Sequence, residues 1–393
     1  MSRPTKADFR LAAIFCGIVG LYDLLYIATT LAPSSVVLGY HIDILFPDFL
    51  VFHAAARAFF EGKLAIVYDT AALTHLQNTL YAARLPYEIG FRPFLYPPLW
   101  LLDLLPFGVL PIGAAVAVFL IATAAAGGVT LSRIGLRLEA VLAILAAPAA
   151  VWVVIAGQNT FLSVALLYGG FALLERRPVL AGVLLGALAY KPQVWLLVPL
   201  ALLCARQWRV LAAMAATVMA LSLVTLALFG VDLWADFLVA ARRASTGAAA
   251  AEMYTRVHAH MTTLLASAKM LGAGDGLAMG LQLAGSLAAV GAVIFAFARH
   301  ASSPARTAVL VTATFLVSPY TLNYDLLLLM PAVAFLFLNP PQGGLLPLER
   351  TAFVAVWLIP HFCLELNAAG LPLTPLVVLL FGGLALMRLR TAR

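Results

Sequence analysis

Charge is what this sequence has least of. Of its 393 residues only 10% are Asp, Glu, Lys or Arg, against 64% hydrophobic, and the mean hydropathy is +1.01. Soluble domains carry about a quarter charged residues, so this balance excludes one. Cysteine is scarce too. Cys16, Cys204 and Cys363 lie in or beside apolar runs without metal-ligand spacing, so neither a disulfide framework nor a zinc site is implied. The sequence has no Walker loop, nucleotide-binding glycine fingerprint, HExxH or GxSxG elbow, which leaves nucleotide-driven and serine-hydrolase chemistry without support. The formal charge is +7, but the basic residues stand singly or in pairs at the ends of apolar runs. They read as topology signals; no nucleic-acid partner is expected.

What is present is a succession of apolar runs. A spanning helix needs roughly 20 apolar residues, and buried bundle helices can be shorter, so the chain reads as all-α, a polytopic transmembrane bundle of about 12 helices in one domain, residues 1–393. The runs are Leu11 to Ala32, Pro97 to Leu131, Glu139 to Ala156, Thr160 to Leu174, Pro178 to Tyr190 and Pro192 to Ala205. They continue Trp208 to Phe229, Gly276 to Ala298, Ala305 to Tyr320, Asp325 to Leu338, Arg350 to Leu366 and Leu371 to Met387. The Pro97 run should bend near Pro106 or Pro111, or divide in two. Arg3, Lys6 and Arg10 precede the first run as in a secretory signal, but its length marks a retained span.

Positive residues in short loops stay cytoplasmic. A cytoplasmic N-terminus also puts Arg133, Arg137, Arg176, Arg177, Arg206, Arg209, Arg299, Arg306, Arg350 and the C-terminal arginines inside. The two long loops, 33–96 and 230–275, then face outward. So do Asp48, Arg92 with Tyr96, the Gly157-Gln158-Asn159 turn, Lys191-Pro192-Gln193, His258 with His260, and the stretch from Ser318 to Asp325. A pocket gathering these groups would lie at the outer leaflet.

In the first long loop, HIDILFPDFLVFHAAARAFFEGKLAIVYD carries too many charges to cross a bilayer. Pro47 suits a first helical turn, Asp48 sits where the helix dipole favours an anion, and Gly62 can end the helix. Phe49, Phe52, Phe59 and Phe60 would lay one face of this juxtamembrane amphipathic helix on the membrane surface. Asp48 reads as a general base for an acceptor hydroxyl or as a helix-start aspartate without chemistry. Lys191 reads as a phosphate ligand or a snorkelling lysine, and Arg92 could join it or pair with Glu88. Gln158 and Asn159 suit sugar hydroxyls, or merely cap two helices. His258 and His260 lack further ligands for a metal, and a substrate-facing His260 is an open alternative. Asp23 and Asp103 fall inside spans, as proton-path residues or buried hydrogen-bond partners.

Taken together and in order, PDFLVFHAAARAFFEGKLAIVYD, FLYPPLWLLDLLPFGVLP, the GQN and KPQ blocks and SPYTLNYDLLLLMPA resemble glycosyltransferase family 87, bacterial polyprenyl-phosphate-dependent mannosyltransferase-like proteins of the GT-C membrane fold. The resemblance runs from about Asp48 to Pro331. It implies Asp48 as catalytic base and an inverting transfer of a hexose, mannose being the best-known case. The implied partners are a polyprenyl-phosphate-linked sugar, a lipid or glycan acceptor and membrane lipids. No separate cofactor or metal is implied, and the active site is expected on the periplasmic face of the bacterial inner membrane. In the reading of the residues, Lys191 with Arg92 would hold the donor phosphate, Gln158, Asn159, His260 and Tyr324 would line the sugar pocket, and Tyr96, Gln193, Tyr320 and Asn323 are further substrate-binding candidates. Some family members carry a histidine after the late serine-proline pair, where this chain has Tyr320, Asn323, Tyr324 and Asp325. A polyprenyl-lipid or small-solute transporter or flippase, and a polymerase of lipid-linked oligosaccharides, are the competing readings.

Overall fold

A computed structural model describes residues 46–83, 88–90, 92–245, 257–299 and 304–391, with shorter pieces at 18–19, 21–22, 36–37, 40–41 and 254. The expected first span, Leu11 to Ala32, lies outside the described residues apart from the helical pairs at 18–19 and 21–22, and Asp23 and Asp43 lie outside them too. The regular structure among the described residues is helical, apart from an antiparallel pairing of Val36–Val37 with Tyr40–His41 and an isolated antiparallel bridge between Met261 and Leu322.

The helices are α1 Pro47–Phe60, α2 Thr70–Tyr81, α3 Pro98–Gly108, α4 Ile112–Arg133, α5 Leu138–Leu145, α6 Pro148–Ala156, α7 Thr160–Leu173, α8 Pro178–Ala187 and α9 Pro192–Trp195. After them come α10 Val198–Cys204, α11 Trp208–Ser245, α12 Leu264–Met270, α13 Asp275–Arg299, α14 Pro304–Val317, α15 Leu329–Leu338, α16 Glu349–Ala368 and α17 Thr374–Thr391. Proline opens α1, α3, α6, α8 and α9. Its missing N–H would be unpaired in a first turn anyway, and its fixed φ already suits the helix.

Four helices, α4, α11, α13 and α16, are long and apolar enough to cross a membrane; α5 with α6 makes a fifth candidate, bent by 50°. That bend falls just before Pro148, where the ring removes a backbone donor. Five of six shorter apolar stretches match the expected runs at 160–174, 178–190, 192–205, 305–320 and 325–338, the sixth is the first part of the Pro97 run, and α17 corresponds to the last run, 371–387. Of the twelve crossings expected, four or five thus have membrane-spanning length and hydropathy among the described residues. The Pro97 run divides into α3 and α4 at Pro111, while Pro106 is accommodated inside α3. The Pro192 run divides into α9 and α10. In α11 the helical path breaks at Gly230, with φ 82°. Ile121, Leu223 and Leu287 are exposed on α4, α11 and α13, faces suited to hydrocarbon. Inside, Gly182 and Gly186 let α8 press against α11: a Cβ at Gly182 would lie 2.5 Å from the Val210 carbonyl. Small residues four apart permit this approach.

One expectation is overturned. Helix α1 does not lie with a phenylalanine face on a membrane surface, because Phe49 and Phe52 are buried in the protein. Phe49 packs on Phe107 and Phe119, Phe52 on Phe94, Tyr96 and Trp100, and Phe59 on Phe229; Phe60 stays exposed. Ala54 and Ala58, on the side of α1 away from these rings, are buried as well, and so are Ala55 and Ala56. A helix apolar on more than one face is covered by protein on more than one face.

Candidate active site

The start of α1 is fastened to the end of α6. Phe46, in the left-handed region, donates its backbone N–H to the Ile155 carbonyl at 2.8 Å. Gly157 ends α6, also left-handed with φ 70°, and a Cβ there would lie 2.5 Å from Phe49 Cβ. Glycine is therefore required twice at this turn, for its backbone angle and for the contact. The close approach sets Gln158 beside Asp48.

Gln158 is buried and fully engaged. Its amide nitrogen donates to Asp48 Oδ2 at 2.7 Å and to the Tyr324 hydroxyl at 3.2 Å. Its amide oxygen accepts from the Tyr96 hydroxyl at 3.0 Å and the Asn159 backbone at 3.1 Å. A primary amide has two donor hydrogens and two acceptor lone pairs, and all four are used. The side chain is thus locked as a brace that aims Asp48.

Lys191 precedes α9 and is wholly buried. Its ammonium lies 2.6 Å from Asp325 Oδ1 and donates to Asn159 Oδ1 at 3.1 Å and Thr160 Oγ1 at 3.2 Å. The Thr160 hydroxyl donates on to Asp325 at 3.4 Å. Asp325 Oδ2 accepts the Leu322 backbone N–H at 3.3 Å, closing the turn before the 3-10 segment Asn323–Leu328. Asp325 and Thr160 were not among the expected site residues. The available signal was an acid in a late polar turn, able to balance the lysine of an earlier apolar run.

The other expected residues divide. Tyr96, Asn159 and Tyr324 join the cluster around Gln158 and Lys191, with Lys191 Nζ 5.6 Å from the Tyr324 ring centre. Asn323 is buried beside Asp325 and accepts the Tyr324 backbone N–H. Tyr320 stands at the end of α14, where its backbone exchanges hydrogen bonds with the Ser318 hydroxyl. His260 is reached from α6 by Trp152, ring to ring at 5.7 Å. From α16, the Asn367 amide donates to the Ala259 and Met261 carbonyls, pinning the His258–His260 turn. Arg92 is half-buried on the segment leading to Tyr96, its backbone fixed by Gln77 and Thr74. Gln193 is half-buried on α9 and makes no hydrogen bond among the described residues, so it is not drawn into the cluster. Asp103 is exposed further along α3.

Electrostatics single out two groups. Burial raises the Asp48 carboxyl above its ordinary range, while Gln158, Arg92, Tyr324 and Lys191 pull it back. A raised carboxylate that still ionises is a better proton acceptor than a free one. Burial holds the His260 imidazole down at about 4, against the opposing influence of Asn323, so it is neutral at neutral pH.

The arrangement is that of a membrane-embedded helical enzyme: one buried-edge carboxylate, braced by an amide and ringed by phenols, where polar turns from six parts of the chain meet. Residues 94–319 match the sequence pattern of glycosyltransferase family 87, more than half of the chain, and the chain belongs to that family. It is accordingly a membrane glycosyltransferase, with a sugar donor and an acceptor as substrates. No curated protein and no solved structure matches it. Asp48 precedes the matched residues, and the stretch from Tyr320 to Asp325 follows them.

Proposed function

We propose that this enzyme, of GT-C type, transfers a hexose from a polyprenyl-phosphate donor to a hydroxyl of a lipid or glycan acceptor, with Asp48 as general base. In this reading Asp48 takes the proton of the acceptor hydroxyl as that oxygen attacks the anomeric carbon from the face opposite the phosphate. The carbon–oxygen bond to phosphate breaks, its electron pair leaves with the polyprenyl phosphate, and the configuration inverts. The leaving group is already an anion, so it needs positive charge and N–H donors more than a proton, and one carboxylate suffices. Mannose is the sugar the resemblance favours, and the periplasmic face of the inner membrane is the side favoured by the distribution of arginines.

The observation that carries the reading is the grip of Gln158 on Asp48 at 2.7 Å, beside Tyr96 and Tyr324. An aspartate that merely started a helix would need no brace from a residue 110 positions away. The test is Asp48→Asn in nanodiscs, assayed for sugar transfer from a polyprenyl-phosphate donor. Wild-type turnover in that variant would end the proposal.

A further inference from the structure

The polar groups of the site differ in how completely the protein uses them. An ammonium has three hydrogens to give. Those of Lys191 go to Asp325, Asn159 and Thr160, and none of the residue is exposed. Its charge is matched by Asp325 in direct contact. To bind a phosphate, Lys191 would have to abandon one of these partners and leave it buried and unpaired, which is costly.

Three groups nearby are not used up. Asn159 and Asn323 are both buried, with Nδ2 groups that lack an acceptor. Their orientation is fixed: the Asn159 oxygen accepts from Lys191 and the Asn323 oxygen from the Tyr324 backbone, so in each case the nitrogen is the free end. The third is Arg92. Its guanidinium makes no ion pair among the described residues, and its charge acts on both Asp48 and His260. A guanidinium at the half-buried rim suits a phosphate in forked geometry.

We propose that Lys191 and Asp325 are positioning residues that hold Asn159 and the GQN turn in place, and that the phosphate of the donor is bound by Arg92 instead of Lys191. This rests on the donor reading above, which it divides into residues that bind and residues that aim. Replacing both members of the buried pair by apolar side chains removes the pair without stranding either charge. Binding should survive that change. Turnover should not, because Asn159 is then free to turn.

The experiment uses the full chain in nanodiscs, titrated with farnesyl phosphate, farnesol or inorganic phosphate and followed by tryptophan fluorescence, with sugar transfer assayed in parallel. Wild type should bind farnesyl phosphate more tightly than farnesol, and millimolar inorganic phosphate should not displace it; displacement would mark a site for free phosphate and overturn the lipid-donor assignment. Arg92→Gln should weaken farnesyl phosphate about tenfold or more. The double variant Lys191→Met with Asp325→Leu should bind as wild type does and lose about tenfold in kcat at unchanged donor KM. Equal weakening in the double variant and in Arg92→Gln would make Lys191 the anion ligand and overturn the inference alone. Unchanged kcat in a folded double variant would make the pair merely structural, and overturn it also. If the double variant does not fold, Asp325→Glu, which keeps the pair, replaces it: unchanged binding with altered kcat supports the inference, and weakened binding overturns it. Wild type binding farnesyl phosphate no better than farnesol would take down the donor reading together with this assignment.

Discussion

Two buried ion pairs stand in different parts of this bundle, and they are built differently. Glu349, at the start of α16, meets Arg388 of α17, with Arg388 Nη2 2.9 Å from Glu349 Oε2. The Leu346 backbone donates to Glu349, and Arg388 donates to the Asn339 carbonyl. This pair closes a helix junction between backbone groups. Lys191 and Asp325 instead stand among side chains that are left with unused donors, Asn159 and Asn323. A buried polar group left unpaired costs the fold stability, and two of them beside an ion pair are what the proposed ligand site would use. In the proposed reading the first pair secures the fold and the second organises a site.

Experiments can break that contrast. The largest expected effect is on chemistry: Asp48→Asn should lower turnover by about 10²–10⁴-fold, the usual range for a lost general base. Its thermal stability should equal or exceed that of wild type. The sign follows from burial, which raises the Asp48 carboxyl in the folded protein. Such a group favours folding while protonated, and this contribution is lost as pH rises through the folded value. The stability gap between wild type and Asp48→Asn should therefore widen with rising pH, as melting curves would show. Next in size, Arg388→Met strands Glu349 and should cost about 3–5 kcal/mol by denaturation. The protein that remains folded should keep its kcat; a lost kcat would deny that the two pairs have separate roles.

Gly157→Ala should lower turnover about tenfold or more, since displacing Phe49 separates Gln158 from Asp48 by a fraction of an ångström that catalysis does not tolerate. Turnover of wild type should fall as pH drops through a value above the ordinary carboxylate range, because only ionised Asp48 can accept a proton; a rate flat across that range would sever Asp48 from the chemistry. Smallest is Tyr81→Phe. It removes hydrogen bonds to His53 and to the Leu50 carbonyl under α1 and should cost about 1 kcal/mol of stability with no change in donor KM.

Much of the outline was legible in residues. Hydropathy announced a membrane protein, Pro47 announced the start of α1, and the polar turns announced the candidate pieces of a site. What composition could not say was how each helix end would be completed. The phenylalanines of α1 looked like a membrane-facing stripe because periodicity reports which residues are apolar, not whether protein or lipid covers them. Lys191 read as a phosphate ligand or a snorkelling lysine, because its counter-charge, Asp325, is 134 residues further along and no local pattern joins them. Gln158 read as a sugar ligand or a helix-capping residue, and only the tertiary structure shows its four hydrogen-bond partners.

By itself, the sequence determined that this chain is helical, apolar and membrane-bound, and which polar residues stand out against that background, since hydrophobic burial and backbone geometry act locally. Tertiary structure decided which of those residues still have hydrogen-bonding capacity to offer a ligand. That depends on distances between turns far apart in the chain, and a donor is spent or free only once its neighbours are in place.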